Sequence, residues 1–290
     1  MKLLILSEAS GLLREQGLCF ALAEQFQQHR EAVVWLSPDQ IAAREFPDLD
    51  ESVLVIDCLG TQGKPDTAFC ASDSFNALLD YCEERQWVWL SLSDSRVFPA
   101  NAKRRFVEVD SPEPSTAGGR QLLMHENAIA DRVERHIILR VGPVIAGAGD
   151  NLLTRLLIHM RKGGVVTLPE AQRFCPTPIA DVARVIAAMH DQLDCGACCW
   201  GTFHYESADP ASGYEFAEVV LAAATQYWPI DDGPVQLRSA QAESAADVYP
   251  LLNCQRIRDT FGIQQLPWRR AIPVLLREIQ AHHSAEMSSS

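Results

Sequence analysis

The chain has 290 residues, 47% hydrophobic and 22% charged, which is the balance of a folded globular protein rather than a disordered or fibrous one. A net charge of -13 argues against a nucleic-acid partner, because phosphate binding needs clustered Lys and Arg. No apolar run approaches the ~20 residues of a membrane span. The opening MKLLILSEAS carries one Lys and reads as a first strand rather than an export signal, so a cytoplasmic location is expected.

In chain order, residues 2–7 predict a short buried strand. Residues 12–29 predict a helix, with Leu18, Ala21, Leu22 and Phe26 at helical spacing. Strands follow at 32–36, 52–58, 87–92 and 136–141, with helices at 74–85 and 119–134 between them. These strands are nearly continuous apolar runs, as expected where both faces of a sheet are covered. Strands alternating with helices predict a parallel, doubly wound α/β sheet with right-handed crossovers and a ligand crevice at its carboxyl ends. Beyond residue 180 the pattern turns helical, at 181–190, 213–227, 250–261 and 267–282. Residues 284–290 predict a frayed tail.

Nine cysteines stand at 19, 58, 70, 82, 175, 195, 198, 199 and 254, mostly in apolar stretches, and read as reduced thiols. Cys195, Cys198 and Cys199 form a CxxCC cluster, but no second ligand pair follows at zinc spacing, even counting His190 and His204. The cluster reads as a Cys-rich turn before a strand, and no metal is expected. Lys103, Arg104 and Arg105 read as a solvated loop.

Several segments resemble, in order and spacing, the dTDP-4-dehydrorhamnose reductases, an extended branch of the short-chain dehydrogenases. They are the opening strand-turn-helix through Arg14, Leu90–Phe98 (LSLSDSRVF), Ile138–Val141 (ILRV), Cys175–Ala183 (CPTPIADVA), Gly201–His204 (GTFH) with Gly213–Ala217 (GYEFA), and Leu252 through Trp268. The resemblance covers nearly the whole chain. It implies an NAD(P)-binding Rossmann domain from residues 1–147 and 177–200, interleaved with a smaller substrate-binding subdomain from 148–176 and 201–283.

The resemblance also assigns site residues. The cofactor positions are Ser7, Ala9, Ser10, Gly11, Leu12, Leu13, Arg14, Ser37, Cys58, Leu59 and Gly60. Of the family's three turn glycines only Gly11 is present; Glu8 and Arg14 stand at the other two. No acidic residue stands at Ser37 to favour NAD, and no Arg directly follows to accommodate NADP, so either cofactor stays open. Asp57, just before Cys58, is unexpected there.

Val141, Gly142, Pro143, Arg173 and Thr177 fall on the substrate side, with Arg173 and Thr177 expected to face ligand. Phe216 and Phe261 are expected in the core, and Asp181 as a helix cap or anchor.

The catalytic positions depart from the family pattern. Its Tyr-x-x-x-Lys pair falls on Gly118 and Leu122, and its Ser-Thr-Asp on Ser93, Asp94 and Ser95. In these reductases the Tyr hands a proton to the carbonyl oxygen, and the Lys lowers its pKa; without such help a Tyr near pKa ~10 is a poor relay. The loss holds independently of alignment. The residues four places after Tyr81, Tyr205, Tyr214, Tyr227 and Tyr249 are Arg85, Asp209, Glu218, Asp231 and Asn253, so no Tyr-x-x-x-Lys occurs.

Tyr81 with Arg85 reads as an ordinary helix pair one turn apart. An ionised Asp94 would repel a developing oxyanion. His125 reads as a helix-surface residue; as an acid or base it is, with Arg120 as a cation, the candidate for rescue. The expectation is a reductase-like chain without hydride transfer, binding a nucleotide or sugar nucleotide, or serving a protein partner or a second copy of itself. A regulatory role has a precedent in the resembled family, in the β subunit of methionine adenosyltransferase. The alternative is an active NAD(P)-dependent reductase or epimerase with substituted groups.

Overall fold

A computed structural model describes residues 1–6, 21–22, 24–26, 33–49, 52–58, 72–100, 104–227, 233–240 and 248–288. Its centre is a six-stranded sheet of β1 (Lys2–Leu6), β2 (Val33–Leu36), β3 (Val53–Asp57), β4 (Val88–Asp94), β5 (His136–Val141) and β10 (Gly201–Tyr205). Their order is β2-β1-β3-β4-β5-β10, and every pairing is parallel. The order reverses between β1 and β3, which places the crevice at the carboxyl ends of these two strands.

The pleat sends alternate residues to opposite faces. One face carries Leu3, Ile5, Leu54, Ile56, Leu90, Leu92, Leu139 and Phe203. It packs against α5 (Ile179–Asp194) through Val182, Val185, Ile186 and Met189, against α7 (Gln255–Phe261), and against helical Leu22 and Phe26. The other face carries Leu4, Leu6, Val53, Val55 and Trp89 and packs against α2 (Asp73–Glu84) and against Ile129 of α3 (Ala117–Ala130). Each fully buried Leu- or Phe-sized side chain contributes roughly 1.5–3 kcal/mol. The short α1 (Pro38–Ala42) is closed by a capping box between Ser37 and Gln40.

A second core joins α4 (Leu152–Arg161), β7 (Gly164–Pro169), α6 (Gly213–Tyr227), the 3-10 turn Trp268–Ala271 and α8 (Ile272–Ser288). In it Phe216 packs on Phe174 and Trp268. The remaining strands are short: β6 (Val144–Ile145) pairs with β9 (Thr177–Pro178), β8 (Arg173–Phe174) with β11 (Ala211–Ser212), and β12 (Val235–Ala240) with β7.

Three helical expectations change. The helix expected at 250–261 begins only at Gln255, because the preceding stretch is extended and joins Phe106: Phe106 N donates to Leu251 O, and Asn253 N to Phe106 O. The helix expected from 267 starts as a 3-10 turn before α8. The tail expected to fray continues α8 to Ser288. Among the described residues no helix is long and apolar enough to cross a membrane.

Candidate functional site

The face of the sheet beneath α3 changes character along its strands. Toward the amino ends it is apolar, with Val53, Val55 and Trp89 buried. Toward the carboxyl ends it becomes polar: Asp57 is in register with Ser91, Ser93 with Arg140, and Arg140 with His204, all of them buried. Alternation in Ser91-Leu92-Ser93 sends the serines to this face and Leu92 to the opposite core.

Helix α3 covers the polar row. Thr116 caps it by accepting from Gly119 N at 3.0 Å. Its first turn lies directly on the 3-10 turn Ser95–Val97: a Cβ on Gly119 would sit 2.2 Å from Arg96 O and 2.9 Å from Pro114 Cβ. Only glycine allows that approach. Further along, Glu126 binds Arg140, which donates from Nε at 2.9 Å and from Nη2 at 2.5 Å, with both side chains almost fully buried. His125 Nε2 lies 2.5 Å from Asp57 Oδ2, and Ser91 Oγ donates to the same oxygen at 3.1 Å. His125 is therefore not the surface residue its position suggested: it is 1% exposed and stacked on Phe75.

The positions matched to the catalytic pair are Gly118 and Leu122. Leu122 is buried in an apolar cluster with Val97, Phe98, Phe106 and Leu252. Beside Gly118, Arg96 Nη1 comes within 3.7 Å of where a Cβ would be. The Arg96 guanidinium grips Asp94, donating from Nε at 2.9 and 3.0 Å and from Nη2 at 2.5 Å, and lies 5.5 Å from the centre of the Tyr249 ring. This corrects the reading of Asp94 as an open negative charge, since its carboxylate is paired and also caps the turn through Arg96 N. Arg120 is exposed, so the cation beside Gly118 is Arg96. Ser93 and Ser95 are both buried.

At the end of β10, Glu206 is fully buried and accepts from Leu252 N at 3.1 Å and from Arg105 Nη1. Burial pushes its carboxyl up to about 7, against the opposing pull of the Leu252 amide and Arg105. Arg105, expected in a solvated loop, is exposed but reaches inward to this buried carboxylate, and it also donates to Leu252 O at 2.7 Å. Arg104 pairs with Asp110. The thiols of Cys175 and Cys254, next to Glu206, are pushed well up by burial and by that carboxylate, so they are unreactive at neutral pH.

On the substrate side, Val141 is core and Pro143 is buried, its carbonyl accepting from Thr177 N. A Cβ on Gly142 would lie 2.7 Å from Cys175 O and 2.8 Å from Thr177 Oγ1. The structure places Thr177 in the interior and Arg173 at the surface. Thr177 is fully buried, donating to Cys175 O and accepting from Ser207 N. Arg173 is held by Glu215 at 2.7 Å and by Pro210 O. Asp181 anchors its helix through Arg184 and the Tyr205 hydroxyl rather than capping it; the N-cap is Pro178.

Of the cofactor positions, Ser37 caps α1 and Cys58 is buried, its N–H donating to Leu6 O. Ser7, Ala9, Ser10, Gly11, Leu12, Leu13, Arg14, Leu59 and Gly60, with Glu8, lie outside the described residues. Arg85 stacks over Tyr81, whose hydroxyl donates to Pro47 O, so this pair serves packing. Cys195, Cys198 and Cys199 lie between the end of α5 and β10, and no group of three metal-binding side chains occurs among the described residues.

Known proteins place this geometry in context. A sequence model described as the RmlD substrate binding domain matches residues 65–281. The dTDP-4-dehydrorhamnose reductase of Burkholderia thailandensis is 24% identical over 206 residues, covering 66% of this chain and 68% of the relative. The reductase of that name from Sinorhizobium fredii is 26% identical over 233 residues, covering 75% and 76%. Among solved structures, a dTDP-4-dehydrorhamnose reductase from Clostridium acetobutylicum shares the fold with a TM-score of 0.75 at 18% identity, covering 97% of this chain and all (100%) of that one. Another from Bacillus anthracis, in complex with NADP, has a TM-score of 0.73 at 16% identity, covering 96% and 99%.

Proposed function

The chain belongs to the RmlD substrate binding domain family, and from that premise we propose that it has given up hydride transfer and works as a sugar-nucleotide-binding or regulatory subunit. The observation that carries this reading is Leu122. A lysine there would have to hold its ammonium in water or against a ribose, yet the position is packed among Val97, Phe98, Phe106 and Leu252. One turn earlier, Gly118 has no side chain to donate a proton, and the neighbouring space holds the Arg96–Asp94 pair. A guanidinium stays protonated at any working pH, so Arg96 can bind an anion but cannot act as the acid.

The described residues therefore do not fit the nicotinamide end of a dinucleotide. What remains suits binding. The Arg96–Asp94 pair stands partly exposed beside Gly118, and the relatives are named for a dTDP-sugar. A competing reading keeps catalysis, with His125 as the acid. It has in its favour the His125–Asp57 couple at the carboxyl end of β3, but that imidazole is buried beneath α3.

The test is calorimetry with NADPH, NADH and a dTDP-sugar, followed by an NADPH-oxidation assay with a dTDP-4-keto-sugar. Sugar-nucleotide binding without cofactor consumption is the expected result. If no small molecule binds, the regulatory arm of the proposal requires a stable complex with another protein or a second copy. Substrate-dependent NADPH oxidation abolished by His125→Ala would overturn the proposal.

A further inference from the structure

The polar row beneath α3 contains three buried atoms whose hydrogen-bonding needs are complementary. Ser93, Arg140 and His204 are in register on adjacent strands β4, β5 and β10, about 4.8 Å apart from strand to strand, and so share one face. All three are buried. Ser93 Oγ, Arg140 Nη1 and His204 Nε2 have no hydrogen-bond partner among the described residues. One ring brings two of the groups together: Phe98 lies 5.1 Å from Arg140 Cζ and 5.6 Å, edge-on, from the His204 ring.

The chemistry of each atom is fixed by its neighbours. His204 Nδ1 lies 3.1 Å from Phe106 O, an acceptor only, so Nδ1 carries the proton and Nε2 is a bare lone pair. Burial and the facing Arg140 charge push the ring's pKa down to about 3, with the Phe106 carbonyl and Asp110 opposing, so the imidazole stays neutral. Arg140 spends Nε and Nη2 on Glu126, which leaves the N–H groups of Nη1 as donors.

We infer that an internal water is bound between Ser93 Oγ, Arg140 Nη1 and His204 Nε2. The occupant must accept from Arg140 and donate to His204, which an O–H group does and a halide or a metal cation does not. A halide has no proton for the bare Nε2, and a metal cation cannot accept from a guanidinium. Glu126 offsets the Arg140 charge. The three atoms are shut off from solvent, which excludes a sugar. Buried waters take about three such partners, and leaving these groups unpaired would cost roughly 1–3 kcal/mol each. The water ties β4, β5 and β10 together beneath α3 at the floor of the crevice.

A high-resolution crystal structure of the full chain tests this, together with 15N NMR of His204. The expected results are a density peak about 2.7–3.2 Å from all three atoms and a neutral imidazole protonated on Nδ1. His204→Phe should lose the peak, while Ser93→Ala should keep it with one contact fewer. A proton on Nε2, an anomalous peak there after a bromide soak, or a protein group from another segment bonded to these atoms would each overturn the inference. So would density showing the three atoms bonded directly to one another. The wild-type structure and tautomer decide the matter even if the Phe variant does not fold.

Discussion

Raising the pH through neutrality should weaken this fold, and Glu206 is the group responsible. Its carboxyl is fully buried at the end of β10, and burial lifts it from the ordinary 4.5 to about 7 in the folded chain. A group raised in the folded state is stabilising when protonated. Its contribution is complete below pH 4.5 and is lost as the pH climbs through 7. At about 1.4 kcal/mol per pH unit, the interval between the two values amounts to roughly 3 kcal/mol. Spread over the unfolding entropy of a chain this long, that is a fall in Tm of roughly 5 °C. Glu206→Gln keeps one acceptor oxygen, for Leu252 N or for Arg105, and does not titrate. Melting curves for both proteins, recorded from pH 4.5 to 8, should therefore show the wild type losing roughly 5 °C relative to the variant, most of it between pH 5 and 7. A difference that stays flat with pH, or that favours the wild type as pH rises, would refute the assignment of burial as the dominant force on this carboxyl.

Three further perturbations follow from the contacts of α3. Glu126→Gln leaves Arg140 charged and buried against a neutral partner, and urea denaturation should register a loss of about 3–5 kcal/mol, much of it recovered in the apolar pair Glu126→Leu with Arg140→Met. Leu122→Ala opens a cavity among Val97, Phe98, Phe106 and Leu252 and should cost about 2–5 kcal/mol by the same measurement. Gly119→Ala drives a methyl group into the Arg96 carbonyl 2.2 Å away, so α3 must lift from the 95–97 turn; a loss of about 1–3 kcal/mol in denaturation is expected, with faster amide exchange along 117–122.

The sheet was legible because its strands are apolar on both sides, and an apolar run of strand length bounded by turns has few other uses. Helix ends were less legible. Pro250–Cys254 carries helix-compatible residues, but Phe106 claims its backbone, and no local signal announces a partner more than a hundred residues away. The same limit hid the ion pairs. Arg105 read as one member of a basic run because Glu206 lies far along the chain, and His125 read as a surface residue because Asp57 does. One clue was available: Arg140 sits in an otherwise apolar strand, His136–Val141, and a charge in such a strand implies a buried partner. The S-L-S alternation at 91–93 likewise marks a sheet with one polar face.

Why restoring two residues should not restore a reductase follows from the same helix. The buried positions of α3 are Gly119, Leu122, His125, Glu126 and Ile129, the spacing of a single stripe. Each is committed. Gly119 sets the approach to the turn, Leu122 and Ile129 pack in apolar clusters, and His125 and Glu126 pair with the sheet. Leu122→Lys would place an ammonium among aromatic and aliphatic groups with no carboxylate among them, and Gly118→Tyr would have to displace Arg96 from Asp94. Neither change can be local, because moving α3 to make room would break the Glu126–Arg140 pair that holds it down. The absence of a Tyr-x-x-x-Lys pair and the ionic docking of the helix are thus one structural commitment. The doubly substituted chain should lose stability without gaining NADPH oxidation.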